Sequence, residues 1–186
     1  NADETEVFVG PLFSCDAVRD FLDDSLPGLT DTVLEQYPCD GYPAPRQAVI
    51  ASSTDLLFTC PTRRNARRIA AAQTAPVYRY LYRYHRSDPL LAPLRAFHAS
   101  EIGIVFGTFD RIGYNPPDGE LDLSAQLRSM WTHFARFGEP GLSLWEPYGV
   151  VEPVLSMDAD DDSAILVRED GFDTICEFWE SWVPNE

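Results

Sequence analysis

Tyrosines at positions 78, 80, 82 and 84 recur at period two through Val77-Tyr78-Arg79-Tyr80-Leu81-Tyr82-Arg83-Tyr84. That spacing puts alternate side chains on one face of a β-strand, and the residue types around it favour strands. A strand cannot stand alone, because its open edges leave backbone donors and acceptors in need of neighbours. The other strand-like stretches, Val154 to Met157 and Ile165 to Val167, flank an acidic turn and read as a small hairpin. The remainder is helical in pattern. The order of helices, strand, histidine loop, helix, hairpin and helix completes an α/β sheet rather than making one, so the expected fold class is α/β. Four tyrosines on one face would suit a carbohydrate-stacking ladder, but packing under a helix is the stronger reading, since tyrosine fits partly buried sheet faces.

The helical segments follow from spacing and breakers. Phe13, Val18, Phe21 and Leu22 make a helical pattern over 12–23 that stops around Pro27-Gly28. Thr30-Asp31 resembles an N-cap for a short helix ending near Tyr37-Pro38, and residues 40–45 form a loop. Residues 46–58 read as a helix, with Pro61 as the first position of another running to about Ala72. A helix over Glu101 to Phe106 follows, then a Gly/Pro-rich loop over 111–120. Asp122 to Gly138 is amphipathic, with Leu127, Met130, Trp131, Phe134 and Ala135 on its apolar side. A last helix spans Phe172 to Trp182. With no repeat or linker, residues 1–186 read as a single partial domain.

The 186 residues are 45% hydrophobic, enough for a core, and carry a net charge of −16. Every cation is arginine, and this charge excludes a nucleic-acid surface. Such acidity can draw cations into a cleft, but solubility is the broader reading. Arg63, Arg64, Arg67 and Arg68 share a helix face at spacings suited to acidic partners. No stretch approaches the roughly 18 consecutive apolar residues of a membrane span. The chain opens on Asn1, without a basic and then apolar leader, and so reads as a cut, processed or truncated start. Cys15, Cys39, Cys60 and Cys176 lack a C-x-x-C pair, which argues against zinc. Two disulfides would fit an oxidising compartment, with three connectivities open.

Among the candidates for chemistry, His98 stands just before an apolar helical run, where a neutral imidazole can exchange a proton near neutral pH. His85 and His133 read as surface or packing residues. Asp158 to Glu169 matches several ligand positions of a calcium loop, but position 6 is Ser163 rather than Gly and hairpin strands replace the helices, so a solvated acidic turn is favoured. Ser52, Ser53 and Ser100 are ordinary helix or loop positions, and Cys15 and Cys39 are better used in a bridge than as thiol nucleophiles. No Gly-x-Ser-x-Gly or glycine-rich oxyanion segment occurs.

The run His98-Ala99-Ser100-Glu101-Ile102-Gly103-Ile104-Val105-Phe106-Gly107 resembles the histidine motif of type-B carboxylesterases, the family of cholinesterases and many bacterial ester hydrolases. Asn1-Ala2-Asp3-Glu4 is similar to its acid segment, and Asp55, Phe58, Cys60 and Pro61 to a downstream Asp-x-x-Phe-x-Cys-Pro block. Pro76-Val77-Tyr78-x-Tyr80 looks like the strand before the histidine. Trp131, Phe134, Ala135, Gly138 and Pro140, followed by Trp145, Pro147 and Tyr148, resemble the long helix and its exit. Cys176, Phe178 and Trp179 match the closing helix. The resemblance covers nearly the whole chain, in order and at compatible spacings. It implies the C-terminal part of an α/β-hydrolase fold, ester hydrolysis by a Ser-Glu-His triad with Glu4 as acid and His98 as base, and no metal or organic cofactor. The implied partners are a small carboxylic ester and an upstream segment carrying the nucleophile, in a secreted or periplasmic protein. It also implies a Cys60–Cys176 bridge, leaving Cys15–Cys39. The family commonly has Gly where Ala99 stands, so the loop geometry is expected to differ slightly. Glu101 is expected to orient that loop. The alternatives are a non-catalytic cholinesterase-like binding module or an inactive truncated fragment.

Overall fold

In the computed structural model, which describes residues 12–85, 95–109, 114–157, 165–169 and 171–182, the strand and the hairpin join one sheet. The strand, β1 (Arg79–Tyr82), pairs in parallel with β2 (Pro153–Met157), and β2 pairs antiparallel with β3 (Ile165–Glu169). The order is β1-β2-β3. Register sets Tyr80 opposite Leu155 and Leu155 opposite Val167. β1 is shorter than the eight-residue tyrosine pattern, because only Arg79 to Tyr82 stand in register with β2. The central strand is buried along its whole length, as a strand flanked on both edges and covered on its faces must be.

The chain divides into two compact units, Asn1–Arg63 with Phe172–Glu186, and Arg64–Gly171. In the second, the sheet packs with α5 (Ser100–Phe106) and α6 (Asp118–Phe137) around Ile104, Leu123, Leu127 and Leu155, all fully buried. α6 begins at Asp118, ahead of the expected Asp122, because Pro117 in extended conformation leads directly into its first turn. It ends at Gly138, whose φ of 76° supplies the left-handed cap. The expected apolar side is only partly realised: Leu127 and Met130 are buried, whereas Phe134 is 45% exposed and Ala135 lies open. At that end the helix meets Tyr78 and Tyr80 edge-on, and among the described residues no strand lies beyond β1.

The first unit is helical. α1 (Cys15–Ser25) is capped by Ser14, whose Oγ accepts from the Ala17 N–H at 3.2 Å. α2 (Thr30–Gln36) takes Thr30 into its first turn instead of using it as cap, because the Val33 N–H already bonds to the Leu29 carbonyl at 2.8 Å. α3 (Arg46–Thr54) runs through a π-turn (Asp55–Thr59) into α4 (Cys60–Ala72), so the expected break before Pro61 is absent. Proline has no N–H to give and crowds the carbonyl four residues back, and the wider winding absorbs this: the Cys60 N–H reaches the Asp55 carbonyl, five residues back. α7 (Asp173–Glu180) closes the unit. Val18, Leu22, Val33, Val49 and Trp179 form its core. Two disulfides staple it, Cys15–Cys39 and Cys60–Cys176, the pairing implied by resemblance.

Two of the four clustered arginines, Arg63 and Arg67, pair with acids as expected. Arg63, 1% exposed, binds Asp173, and Arg67 binds Glu152 through both Nε and Nη2, the latter at 3.0 Å. No described helix is long and apolar enough to cross a membrane.

Candidate active site

His98 is exposed, in the turn that delivers the chain into α5. The turn is tight: the Ser100 N–H bonds to the Phe97 carbonyl and the Ile102 N–H to the Ala99 carbonyl, both at 3.1 Å. Closing it requires a left-handed residue, and Ala99 takes that role with φ 63° and ψ 6°. The expected departure from a glycine-like geometry is therefore not found. Alanine adopts the left-handed conformation itself, at a cost in strain.

α5 is anchored from behind. Ile104 and Val105 enter the core, and Ser124 on α6 donates its hydroxyl to the Ile104 carbonyl at 2.6 Å. That bond satisfies a backbone acceptor in the last turn of α5. The opposite stripe, His98, Ile102 and Phe106 at intervals of four, is open, with Ile102 49% and Phe106 69% exposed. The exposed imidazole thus stands on a turn whose helix is anchored in the core.

Among the described residues no side-chain hydrogen bond ties Glu101 to this turn; its charge acts on Tyr80, whose hydroxyl is pushed up by burial and then by the Glu101 charge. Glu101 lies on the first turn of α5, as its sequence position implies.

The residues weighed as replacement nucleophiles are bonded elsewhere or buried. Ser52 and Ser53 donate back to the Val49 and Ile50 carbonyls at 3.1 Å, and Ser100 is buried at 3% exposure with its hydroxyl unpartnered. All four cysteines are in bridges. Glu4 lies outside the described residues, as does the acidic turn 158–164. Among the described residues no His, Cys, Asp and Glu side chains gather as a metal-ligand set.

His133 packs, as expected. Its Nδ1 lies 2.8 Å from the Glu139 carbonyl, its ring sits 4.6 Å from that of Phe137, and a Cβ on Gly141 would stand 2.9 Å from it.

Two features escaped sequence reading. The first is an aromatic cleft of about 170 Å³ lined by Tyr78, Tyr80, Met130, Trp131, Phe134, Pro140 and Trp145. Its rings meet edge to face, Tyr78 with Trp145 at 5.4 Å and Tyr80 with Trp131 at 5.2 Å. The period-two tyrosines were its visible half. The second is a chain in the helical unit: Trp179 Nε1 donates to the Tyr37 hydroxyl at 2.8 Å, which donates to Asp55 Oδ2 at 2.9 Å. Burial pushes the Asp55 carboxyl up, against the hydrogen bonds from Tyr37 and Thr59. Burial, then the Asp55 charge, also pushes the Tyr37 hydroxyl far up. No spacing rule connects residues 37, 55 and 179.

A model of the carboxylesterase family matches residues 15–179. Para-nitrobenzyl esterase of Bacillus subtilis (strain 168) is 33% identical over 138 residues, 70% of this chain and 27% of its own length. Human carboxylesterase 5A is 31% identical over 150 residues, 75% of this chain and 25% of its own. Bile salt-activated lipase of Mus musculus is 33% identical over 113 residues, 55% of this chain and 18% of its own. The chain thus spans about a quarter or less of these curated relatives. With the family matched along almost its entire length, the chain belongs to the carboxylesterase family.

Proposed function

We propose that this chain is the C-terminal portion of one α/β-hydrolase domain in a carboxylic ester hydrolase, to which it contributes the acid Glu4 and the base His98 of a Ser-Glu-His triad. The serine and the oxyanion hole belong to protein outside these residues. The observation that carries the reading is the exposed imidazole of His98 on a left-handed turn backed by a buried helix, in a chain of this family. His98 takes the proton of the serine hydroxyl as it attacks the ester carbonyl, then returns it to the leaving alcohol. Water repeats the sequence on the acyl-serine and releases the acid. Glu4 holds the imidazole in the productive tautomer and stabilises the imidazolium. The substrate is a small carboxylic ester, and the two bridges support a secreted or periplasmic location.

The test is hydrolysis of p-nitrophenyl acetate. The chain alone turns it over no faster than its His98→Ala variant. The full-length protein is active, and Glu4→Gln or His98→Ala lowers kcat by about a thousandfold or more. Equal activity of the lone chain, or a full-length protein indifferent to either change, overturns the reading.

A further inference from the structure

We propose that Cys15–Cys39 is a thiol-exchange site: a dithiol opens this bridge in the folded protein while Cys60–Cys176 stays closed, and the opening loosens the two turns that the bridge joins.

The two bridges differ in access. Cys60 is 2% exposed and Cys176 0%, in the same core cluster as Val49 and Trp179. An attacking thiolate reaches neither sulfur until the helical unit opens. Cys15 and Cys39 are partly exposed, and each stands beside exposed neighbours, Ser14 and Asp16 for the first and Pro38 and Asp40 for the second. Charge then selects the reductant. Asp16 and Asp40 repel an anionic thiol such as glutathione and admit a neutral or cationic one, and the cation of α1, Arg19, is held by Asp31 at 2.5 Å.

The secondary structure around the bridge gives the exchange a direction. Cys15 opens the eleven-residue helix α1, whereas Cys39 opens a single 3-10 turn, Cys39–Gly41. A helix N-terminus favours negative charge, so Cys15 is the better leaving thiolate and attack falls on Cys39 Sγ. The reductant's thiolate forms a new S–S bond to Cys39, the old S–S bond breaks, and its electron pair leaves on Cys15, which takes up a proton. The second thiol of the reductant then attacks the reductant sulfur of the mixed disulfide. It closes a cyclic disulfide and releases Cys39 as a thiolate, which is protonated in turn. Two electrons pass from the dithiol to the protein.

Opening acts locally. The first turn of α1 keeps the Ala17 N–H bond to Ser14 Oγ at 3.2 Å, and the 3-10 turn keeps the Gly41 N–H bond to the Pro38 carbonyl at 2.9 Å. Ser14, Pro38 and Gly41 are exposed, and turns held by exposed hydrogen bonds alone fray. Val18, Leu22, Val33 and Tyr37, between 0% and 4% exposed, hold the rest of the unit together with the buried bridge.

The test exposes the full-length protein in native buffer to dithiothreitol, with timed quenching by iodoacetamide and mass mapping of the labelled cysteines. Label is expected on Cys15 and Cys39 at least about a hundredfold faster than on Cys60 and Cys176. With a monothiol in place of the dithiol, cysteamine should add at Cys39, at least about threefold faster than glutathione, and the gap should narrow in about 1 M salt. In the reduced protein the Ala17 and Gly41 amides should exchange at least about tenfold faster than before, and those of Leu26 and Tyr37 within about twofold of their former rates. Equal opening of the two bridges, or labelling of Cys15 and Cys39 only where urea unfolds the protein, overturns the site. An adduct on Cys15 overturns the direction, glutathione as fast as cysteamine overturns selection by charge, and unchanged Ala17 and Gly41 exchange overturns the loosening. The Cys15→Ser, Cys39→Ser double variant should reproduce the exchange pattern of the reduced protein with Cys60–Cys176 closed; a double variant that is unfolded in native buffer overturns selective opening of a folded protein.

Discussion

Ala99 offers a test in which stability and activity are read from one backbone angle. With φ at 63°, its Cβ crowds the following carbonyl, at a cost of about 1–2 kcal/mol for an L-residue. Ala99→Gly removes that strain. The same change frees the unfolded chain, which works against folding by about 0.4–1 kcal/mol. The balance is a gain of between roughly zero and 1.5 kcal/mol, the reverse of what Ala→Gly does at an ordinary helix terminus. Ala99→Val moves the other way, because a β-branched side chain is a true outlier at positive φ, and a loss of about 2 kcal/mol or more is expected. Urea titration of the full-length protein measures both. Esterase assays below the transition separate folding from positioning: Ala99→Gly keeps kcat within about threefold, while Ala99→Val lowers it at least about tenfold by displacing His98, a 1 Å error being enough. A glycine variant less stable by more than about 1 kcal/mol, or a neutral valine variant, would refute the left-handed turn.

Other outcomes follow from the same structure. Removing Cys60–Cys176, which closes 116 residues, should cost about 4.8 kcal/mol, and removing Cys15–Cys39, which closes 24, about 3.4; equal losses in denaturation of the paired alanine variants would contradict the loop argument. Asp55 has a raised folded pKa, so the native state holds its proton more tightly. Its contribution is greatest below the unfolded value near 4 and is lost as pH rises through the folded one. Asp55→Asn should therefore gain stability relative to wild type as pH increases across that window, and a difference of opposite slope in urea midpoints would count against burial as the cause. Trp179→Phe leaves a hydrogen-bond acceptor on Tyr37 unfilled in a buried site and should cost about 1–3 kcal/mol, with a double-mutant cycle against Tyr37→Phe showing coupling. Gly141→Ala sets a Cβ 2.9 Å from the His133 ring at a φ of 72°, and a thermal midpoint unchanged from wild type would contradict that crowding.

Much of the architecture was legible along the chain because it is local. Alternation at 78–84, the hairpin residues around the acidic turn and the spacing of Leu127, Met130 and Trp131 report the faces of single elements, and a face is a property of consecutive residues. The family resemblance rested on blocks of the same kind, with His98 the sharpest. The misjudged elements are those where neighbours decide. Phe134 continues the apolar stripe of its helix yet lies half exposed, since no periodicity tells how far a sheet extends beneath it. Pro61 marks a helix start in any local rule, and a π-turn carries the helix through it instead.

By itself the sequence determined the order and type of the elements, the acidic character, and a histidine turn of esterase type, all of which are set by covalent neighbours and short-range sterics. Only the tertiary structure decided that Ala99 takes a glycine's conformation, that the Glu101 charge acts on Tyr80, and that Trp179, Tyr37 and Asp55 form one hydrogen-bonded chain. Apart from the Ala99 turn, these depend on groups brought together across tens of residues, where burial removes competing water and leaves a buried polar group the partners that packing provides.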